Sequence, residues 1–202
     1  MTPSDQPKKP YHHGALKQAL VLAGIEILES EGLAALSLRA IAARVGVSHT
    51  APKNHFDGLR GLRTAIATEG FVRHAAFMRE GLSISAPSRK ARQEAAMQGY
   101  VRFATTHPHL FRLMFSTEDC SFDDPALLEA ARQSYAVLAG ISERLDWDKS
   151  SAPDAQRRAE LMLWSMVHGF ATLALAGYVW PEASTGVPLT ITQIMPDFGY
   201  LE

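Results

Sequence analysis

Residues 36–56 read LSLRAIAARVGVSHTAPKNHF, the pattern of two short helices joined by a tight turn. An amphipathic first helix is predicted by the i, i+3, i+4, i+7 spacing of four apolar residues, Leu38, Ile41, Ala42 and Val45. Ser37 stands where an N-cap hydroxyl would accept hydrogen bonds from the free amides of the first turn. Gly46 follows the last apolar residue, where a left-handed C′ residue commonly ends a helix. The stretch therefore predicts a helix corner at Gly46.

The residues that follow Gly46 are mostly polar, which is unusual for a helix that has to pack against a core. The polar set is Ser48, His49, Thr50, Lys53, Asn54 and His55, and it leaves only Val47, Ala51 and Phe56 for packing. A short polar helix after a turn is suited to the major groove of DNA, as in a helix-turn-helix. Corners of this kind also occur in all-α proteins that bind no DNA, and this plainer interpretation competes with the first.

Pro52 leaves two positions open for the start of the second helix. If Ser48 is the N-cap, Pro52 removes the first intrahelical hydrogen bond and biases Ala51 away from helical angles. If Thr50 is the N-cap of a shorter helix, Pro52 lies in the first turn, where proline is tolerated. Both alternatives are compatible with the sequence.

The wider stretch, residues 11–71, resembles the DNA-binding domain of the tetracycline-repressor (TetR) family of bacterial transcriptional regulators. The matching segments are ILESEG at 27–32, LSLRAIA at 36–42, VGVS at 45–48 and HF at 55–56, followed by a helix rich in Leu and Ala. Two positions depart from the family pattern. Lys53 stands where an aromatic residue is usual, and Leu59 where a lysine is usual. The second departure removes an expected phosphate contact, which Arg60 or Arg63 could replace.

Nine residues are candidate DNA contacts: Lys17, Ser37, Arg39, Ser48, His49, Thr50, Lys53, Asn54 and His55. Base reading is predicted for His49, Thr50, Lys53, Asn54 and His55. Asparagine can form a bidentate pair with adenine, and lysine can donate to guanine O6 or N7 in the major groove. Phosphate contacts, which fix the register of a protein on DNA, are predicted for Lys17, Ser37, Arg39, Ser48 and His55. Phe56 is expected to pack beneath the second helix.

The composition is that of an ordinary globular protein of one large or two small domains, with 202 residues, 47% hydrophobic and 20% charged. The net charge of −1 is unevenly distributed, because residues 1–63 carry eight Lys and Arg against five Asp and Glu. A positively charged N-terminal part followed by a negatively charged remainder is typical of a protein that binds the phosphates of a nucleic acid with one end. The single cysteine, Cys120, excludes an internal disulfide and fits a reducing cytoplasm, where we expect the protein to act.

Residues 1–10 are polar and contain three prolines, so we predict a flexible arm and no signal peptide. His12 and His13 are adjacent and do not share a helix face, and we predict no metal site and no cofactor. The most apolar run, residues 161–180, is just long enough to span a membrane. Because the run contains His168 and several small residues, we predict a buried helix instead, and no membrane contact.

Catalysis is not predicted. Cys120 lies in the acidic stretch EDCSFDD at residues 118–124, which should raise the pKa of its thiol and suppress the nucleophilic thiolate. The sequence contains no HExxH, GxSxG or GxGxxG motif.

After a predicted linker at residues 83–88, the chain reads as a series of amphipathic helices. In the helix predicted at residues 152–178, Trp164, His168 and Gly169 resemble the tryptophan-histidine-glycine signature of the C-terminal domain in one TetR subgroup. Trp164 and His168 are i and i+4 and share a helix face. One interpretation is a buried aromatic pair; the other is an effector cavity lined by Phe103, Phe111, Met114, Phe115, Tyr135, Trp164 and His168.

The resemblances imply an all-α protein with a three-helix helix-turn-helix DNA-binding domain at residues 11–58. A connecting helix at 59–82 would lead to a helical ligand-binding and dimerisation domain at 83–202. The implied function is a ligand-responsive homodimeric repressor that binds a palindromic double-stranded DNA operator and a small, largely apolar effector. Helices at 152–180 and 189–201 would form the dimer interface. The alternative is a helical small-molecule-binding or adaptor protein without specific DNA binding.

Overall fold

The computed structural model of the chain describes residues 13–83, 88–145, 153–182, 185–196 and 198–199. Within these ranges the fold is all-α, as predicted, with eight α-helices and no strand. The helices are α1 (His13–Glu31), α2 (Leu38–Val45), α3 (Gly58–Ser83), α4 (Arg89–Thr106), α5 (Pro108–Met114), α6 (Pro125–Ile141), α7 (Ala155–Leu175) and α8 (Ile191–Ile194). Two 3-10 helices, Leu33–Ala35 and Ala51–Asn54, lie in the N-terminal part of the fold. We call residues 11–58 the head and residues 83–202 the body. The predicted arm at residues 1–10, and residues 84–87 of the predicted linker, lie outside the described residues.

The local signals around α2 are confirmed. The Ser37 hydroxyl accepts a hydrogen bond from the Ala40 amide at 3.1 Å, and Gly46 has the left-handed conformation with φ of 75°. Ile41 and Ala42 are buried against α1, since their spacing places them on one face of the helix. The α2 helix is therefore fixed at both ends and along one side.

The second helix of the corner is shorter than a helix capped by Ser48 would be. It is a single 3-10 turn, Ala51–Asn54, whose N-cap position is Thr50 and whose first turn contains Pro52. The Ser48 hydroxyl contacts Thr50 instead, at 2.9 Å from the Thr50 hydroxyl. Proline supplies no amide hydrogen and disfavours α angles at Ala51, so only short-range hydrogen bonds form here. The alternative with Thr50 at the helix start is the one that the structure adopts.

The long helix α3 lies at the centre of the fold, where it packs against α1, α4, α5 and α6. It comes closest to α4 at Gly99, where an added Cβ would lie only 2.3 Å from the Phe77 carbonyl oxygen. The buried apolar residues form one continuous core that runs from Leu20 in α1 to Ile191 in α8. The head and the body therefore share their hydrophobic interior.

A carboxylate of the head also holds the body. Glu29 in α1 accepts hydrogen bonds from the backbone amides of His109 and Leu110, at 3.4 and 2.8 Å. These amides belong to the first turn of α5, where helix amides have no partner within the helix and where negative charge is favoured. The contact therefore fixes the start of α5 to the head.

The C-terminal helices differ from the prediction. The helix expected at residues 189–201 is a single turn, Ile191–Ile194, after which Met195 is extended. Ile191 is 1% exposed and the turn packs against α4. The preceding helix α7 ends at Leu175, because Gly177 has φ of 76° and the Tyr178 amide closes the end on the Leu173 carbonyl. In the part of the chain that the structure describes, no helix is long and apolar enough to cross a membrane.

Candidate DNA-reading segment and effector cavity

Residues 48–55, which we call the reading segment, present their polar side chains outward. Ser48, His49, Thr50, Lys53 and Asn54 are exposed, and His55 is half-buried. The segment is anchored from beneath by Pro52 and Phe56, which are buried. Phe56 is 6% exposed and belongs to the hydrophobic core, as expected of a packing residue. The arrangement can place several donors and one cation against a nucleic acid without disturbing the core.

The candidate DNA contacts outside the reading segment differ in how exposed their side chains are. Lys17 and Arg39 are exposed. Lys17 and His55 line one groove of about 400 Å³ between α1 and α3, together with the acidic Asp57. Ser37 is half-buried and its oxygen is occupied by the cap of α2, although its hydroxyl hydrogen remains available to an acceptor.

Arg60 and Arg63, the two residues that could replace the missing lysine at Leu59, are engaged within the protein in this conformation. The Arg60 guanidinium donates to the backbone oxygens of Thr117, Glu118 and Cys120 and to the Ser121 hydroxyl, at 2.7 to 3.2 Å. The Arg63 guanidinium forms an ion pair with Asp119 at 2.7 Å. Both side chains are committed to the loop between α5 and α6, because that loop presents carbonyl oxygens and a carboxylate to a guanidinium fork.

A cavity of about 340 Å³ lies in the body between α3, α4, α6 and α7. Its lining is mostly apolar and includes three of the predicted pocket residues, Phe115, Tyr135 and Trp164. The rest of the lining is Phe71, His74, Met78, Tyr100, Phe122, Leu128, Ala131, Arg132, Ser134, Leu138 and Arg157. A concave, largely apolar site with a few polar groups is the usual form of a small-molecule site.

The other four predicted pocket residues lie behind the lining. Phe103 and Met114 are fully buried in the core and Phe111 is 3% exposed. His168 Nδ1 lies 2.8 Å from the Tyr100 hydroxyl and is hydrogen-bonded to it. The Trp164 ring meets the His168 ring edge-on, with 6.4 Å between the centroids. The predicted aromatic pair is therefore in contact, and the Tyr100 hydroxyl is paired with its histidine.

His74 is the residue of the cavity that sequence reasoning missed. It is 3% exposed, its Nδ1 lies 2.7 Å from the Ser134 hydroxyl, and its Nε2 is buried without a hydrogen-bond partner. Burial, and secondarily His168, lower the pKa of His74 from its ordinary value of 6.5 to about 3. The imidazole is therefore neutral at physiological pH. The signal available in the sequence was a histidine on the apolar stripe of α3, between Phe71 and Met78.

The polar side chains at the mouth of the cavity are paired with one another. The Tyr135 hydroxyl donates to the Glu160 carboxylate at 2.7 Å and accepts from Arg157 at 2.6 Å. Burial, followed by the Glu160 hydrogen bond, raises the pKa of Tyr135 to about 12. Arg132 pairs with Glu129, one turn away on α6, at 2.7 Å. Each of the two mouth arginines is therefore already matched with a carboxylate.

Cys120 is buried rather than displayed on an acidic surface loop. Its thiol donates to the Leu113 carbonyl at 3.5 Å. Burial, and next the Asp119 carboxylate, raise the pKa of the thiol to about 11. The predicted direction is confirmed, although burial is its largest cause.

An exposed polar turn after α2, set on an all-α body with an apolar cavity, defines a helix-turn-helix regulator. Comparisons with known proteins agree. Residues 94–187 match the family model described as the tetracyclin repressor-like C-terminal domain. The chain is 25% identical over 164 residues to the uncharacterized HTH-type transcriptional regulator Rv0681 of Mycobacterium tuberculosis, covering 80% of this chain and 71% of that protein.

Solved structures share the fold. A protein of unknown function from Rhodococcus sp. RHA1 is 30% identical and superposes with a TM-score of 0.70, covering 92% of each chain. A TetR family transcription regulator from Marinobacter aquaeolei VT8 is 14% identical with a TM-score of 0.59, covering 85% of this chain and 89% of that one. Residues 94–187 therefore belong to the tetracyclin repressor-like C-terminal domain family, and the chain as a whole has the fold of solved TetR family transcription regulators.

Proposed function

We propose that the protein is a cytoplasmic, homodimeric repressor that releases a palindromic DNA operator when a small molecule enters the cavity of the body. The observation that carries the DNA-binding half is the reading segment, whose polar side chains are exposed while Pro52 and Phe56 anchor it. We assign no catalytic role to any residue. The functional division is a head at residues 11–58, a connecting helix at 59–82 and a body at 83–202.

We assign base reading to His49, Thr50, Lys53, Asn54 and His55. Lys53 and Asn54 are the strongest candidates, because both are exposed and can donate to base edges in the major groove. Phosphate contacts are assigned to Lys17, Ser37, Arg39, Ser48 and His55. Contacts of this second kind hold the head in register and give binding its dependence on salt.

The proposed dimer interface uses α7 and the segment that follows it. Large apolar side chains are exposed along this surface, namely Leu161, Leu173, Tyr178, Trp180, Val187 and Ile194. An exposed apolar patch of this kind marks an interaction surface more often than a solvated one. A two-fold dimer presents two heads, so the operator should consist of two inverted half-sites.

The effector cavity and the head are connected by the segment 107–124. Its first turn is held by Glu29 of the head, and its last residues are held by Arg60 and Arg63 at the start of α3. Phe115 lies between these two attachments and lines the cavity. Phe122, directly after the second attachment, lines it as well. A ligand that displaces these phenylalanines would move both attachments, and so shift the population of head orientations away from the operator-binding one.

Operator selection tests the proposal. Genomic fragments are incubated with the purified full-length protein at moderate salt, and the retained fragments are sequenced. A motif of two inverted half-sites is expected, and it should be lost with the Lys53→Ala/Asn54→Ala double variant. Unselective binding that fades as salt rises would reduce the head to a non-specific backbone contact. In that case the alternative, a helical small-molecule-binding or adaptor protein, would take its place.

A further inference from the structure

His74, one of the residues that line the cavity, has a buried ring nitrogen without a hydrogen-bond partner. His74 lies almost completely out of contact with solvent, and its Nε2 is buried without a hydrogen bond. The ring is enclosed by aromatic side chains, with Tyr100 at 4.2 Å and Phe103 at 5.1 Å between centroids, both edge-on. An unsatisfied buried polar group is unfavourable, and in a native protein it calls for a partner such as a water molecule, an ion or a ligand.

The Ser134 hydroxyl determines which kind of hydrogen bond His74 Nε2 can make. Ser134 is 4% exposed, and its hydroxyl lies 2.7 Å from His74 Nδ1. Among the described residues the Ser134 hydroxyl has no other acceptor, so we assign its hydrogen to Nδ1, which then carries no proton. The neutral ring then holds its proton on Nε2. The free nitrogen is therefore a donor, and it requires an acceptor oxygen or nitrogen from the ligand.

The other polar groups described on the cavity wall are already engaged. The Tyr100 hydroxyl bonds His168, and the Tyr135 hydroxyl bonds Glu160 and Arg157. Arg157 and Arg132 at the mouth face Glu160 and Glu129 respectively. Because each cation is matched by a carboxylate, the cavity offers no unmatched positive charge to an anion. A carboxylate carried into this apolar space would lose its hydration without an ion-pair partner.

We propose that the effector is an uncharged, largely aromatic or alicyclic molecule with one acceptor oxygen, of the ketone, aldehyde or ester class, bound by His74 Nε2. The apolar walls supplied by Phe71, Met78 and Phe115 would hold the ring system. This inference rests on the proposed effector cavity and specifies the chemical class that it selects. A site that hydrogen-bonds a ligand discriminates against the analogue that lacks the bonding atom.

Three probes of one size test the inference by calorimetry or by quenching of tryptophan fluorescence: 2-acetylnaphthalene, 2-isopropylnaphthalene and 2-naphthoate. The purified full chain should bind the ketone roughly five- to tenfold more tightly than the hydrocarbon, as one net hydrogen bond provides. The naphthoate should bind more weakly than the ketone. In His74→Phe, which keeps the ring and removes the donor, ketone and hydrocarbon should bind equally.

Two further variants keep the test decisive. Ser134→Ala removes the hydroxyl that keeps the proton on Nε2, and it should reduce the ketone preference while the imidazole stays in place. His109→Phe, a matched change at a half-buried histidine outside the cavity, should keep the preference. Equal binding of ketone and hydrocarbon to the unmodified protein, or tightest binding of the naphthoate, would overturn the ligand class and leave the cavity standing. Failure of all three probes to bind would overturn the effector cavity itself.

Discussion

The reading segment and the effector cavity are built in opposite ways. The reading segment is one 3-10 turn whose polar side chains are exposed and whose two anchors, Pro52 and Phe56, lie nearby in the chain. The cavity is assembled from four helices, and its polar groups bond partners far away in sequence, as His74 does with Ser134. The first surface can change its side chains without affecting the fold. The cavity cannot change its side chains in this way, because each polar group there needs another as its hydrogen-bond partner.

The largest effect is expected where two helices of the body touch. In Gly99→Ala the new Cβ would lie 2.3 Å from the Phe77 carbonyl oxygen, which is backbone and cannot rotate away. The free energy of unfolding should fall by about 3 kcal/mol, as α3 and α4 are pushed apart. Urea denaturation followed by circular dichroism measures the change.

The matched control for Gly99→Ala is Gly140→Ala in α6, where an added Cβ meets nothing within 4 Å. This variant should be as stable as the parent or more stable by up to about 1 kcal/mol, because alanine favours the helix. If the two variants have the same stability, the close approach of α3 and α4 is not as tight as described.

The reading segment should show the reverse behaviour, with a large effect on DNA and almost none on the fold. The Lys53→Ala/Asn54→Ala double variant should bind the selected operator roughly 100-fold more weakly, since each base contact contributes about 1–3 kcal/mol. Its free energy of unfolding should stay within about 0.5 kcal/mol of the parent. Fluorescence anisotropy with labelled operator measures the first quantity. Lys90→Ala in α4 is the charge control, and an equal loss there would attribute the effect to net charge alone.

Arg60 ties the start of α3 to the loop between α5 and α6, so its replacement tests whether the reading segment and the cavity communicate through that loop. Arg60→Gln loses hydrogen bonds to the Thr117, Glu118 and Cys120 carbonyls. Because the side chain is partly solvated, we expect a loss of about 2 kcal/mol in the free energy of unfolding. The ketone probe should still bind the cavity, but it should no longer release the operator.

Arg158→Gln is the control for Arg60, since Arg158 pairs with Asp154 one turn away on α7. It should alter stability by less than about 0.5 kcal/mol and leave release by ligand intact. Normal release of the operator by ligand in Arg60→Gln would show that the signal takes another route.

The smallest effect concerns the response of the cavity to pH. The pKa of His74 falls from 6.5 to about 3 on folding, because burial disfavours the charged ring. Between these values the unfolded chain binds a proton that the folded protein does not, so stability is lost as pH falls below 6.5. Above pH 6.5 both states are neutral and the effect disappears. Between pH 6 and pH 5 the free energy of unfolding of His74→Phe should therefore fall by about 1 kcal/mol less than that of the parent.

Chemical denaturation at pH 7.5, 6 and 5 measures this difference between the parent and His74→Phe. His107 and His168 also have lowered pKa values, from burial, so the variant should keep part of the acid sensitivity. Identical slopes in the two proteins would mean that His74 is accessible to protons in the folded state.

Local signals in the sequence predicted local structure well. The Ser37 cap, the Gly46 turn and the apolar stripe of α2 lie within ten residues, and each depends only on its neighbours. The start of the second helix was left open by the sequence, because Pro52 permits N-caps at Ser48 and at Thr50, two residues apart. The last helix was predicted too long, since a short helical segment was expected over 189–201 and the structure has one turn, Ile191–Ile194, that packs on α4.

The cavity was only partly predictable. Phe115, Tyr135 and Trp164 line it as their positions on amphipathic helices suggested, but helical spacing does not show which side of a helix meets a void. Phe103 and Met114 had the same spacing and lie in the solid core. The bond between His74 and Ser134 joins residues 60 positions apart, and the role of Arg60 depends on a loop equally distant in sequence. Neither has a local signal.

The hydrogen bonds from the α5 amides to Glu29 limit how this regulator can be rebuilt with a new DNA specificity. Exchange of residues 11–58 for the head of another regulator would leave the first turn of α5 without its acceptor and would cut through the shared core. A graft restricted to residues 48–55 would avoid both, because the side chains exchanged there are mostly exposed. Chimeras of the second kind should fold and answer to the original ligand, whereas those of the first need the glutamate restored at the equivalent position.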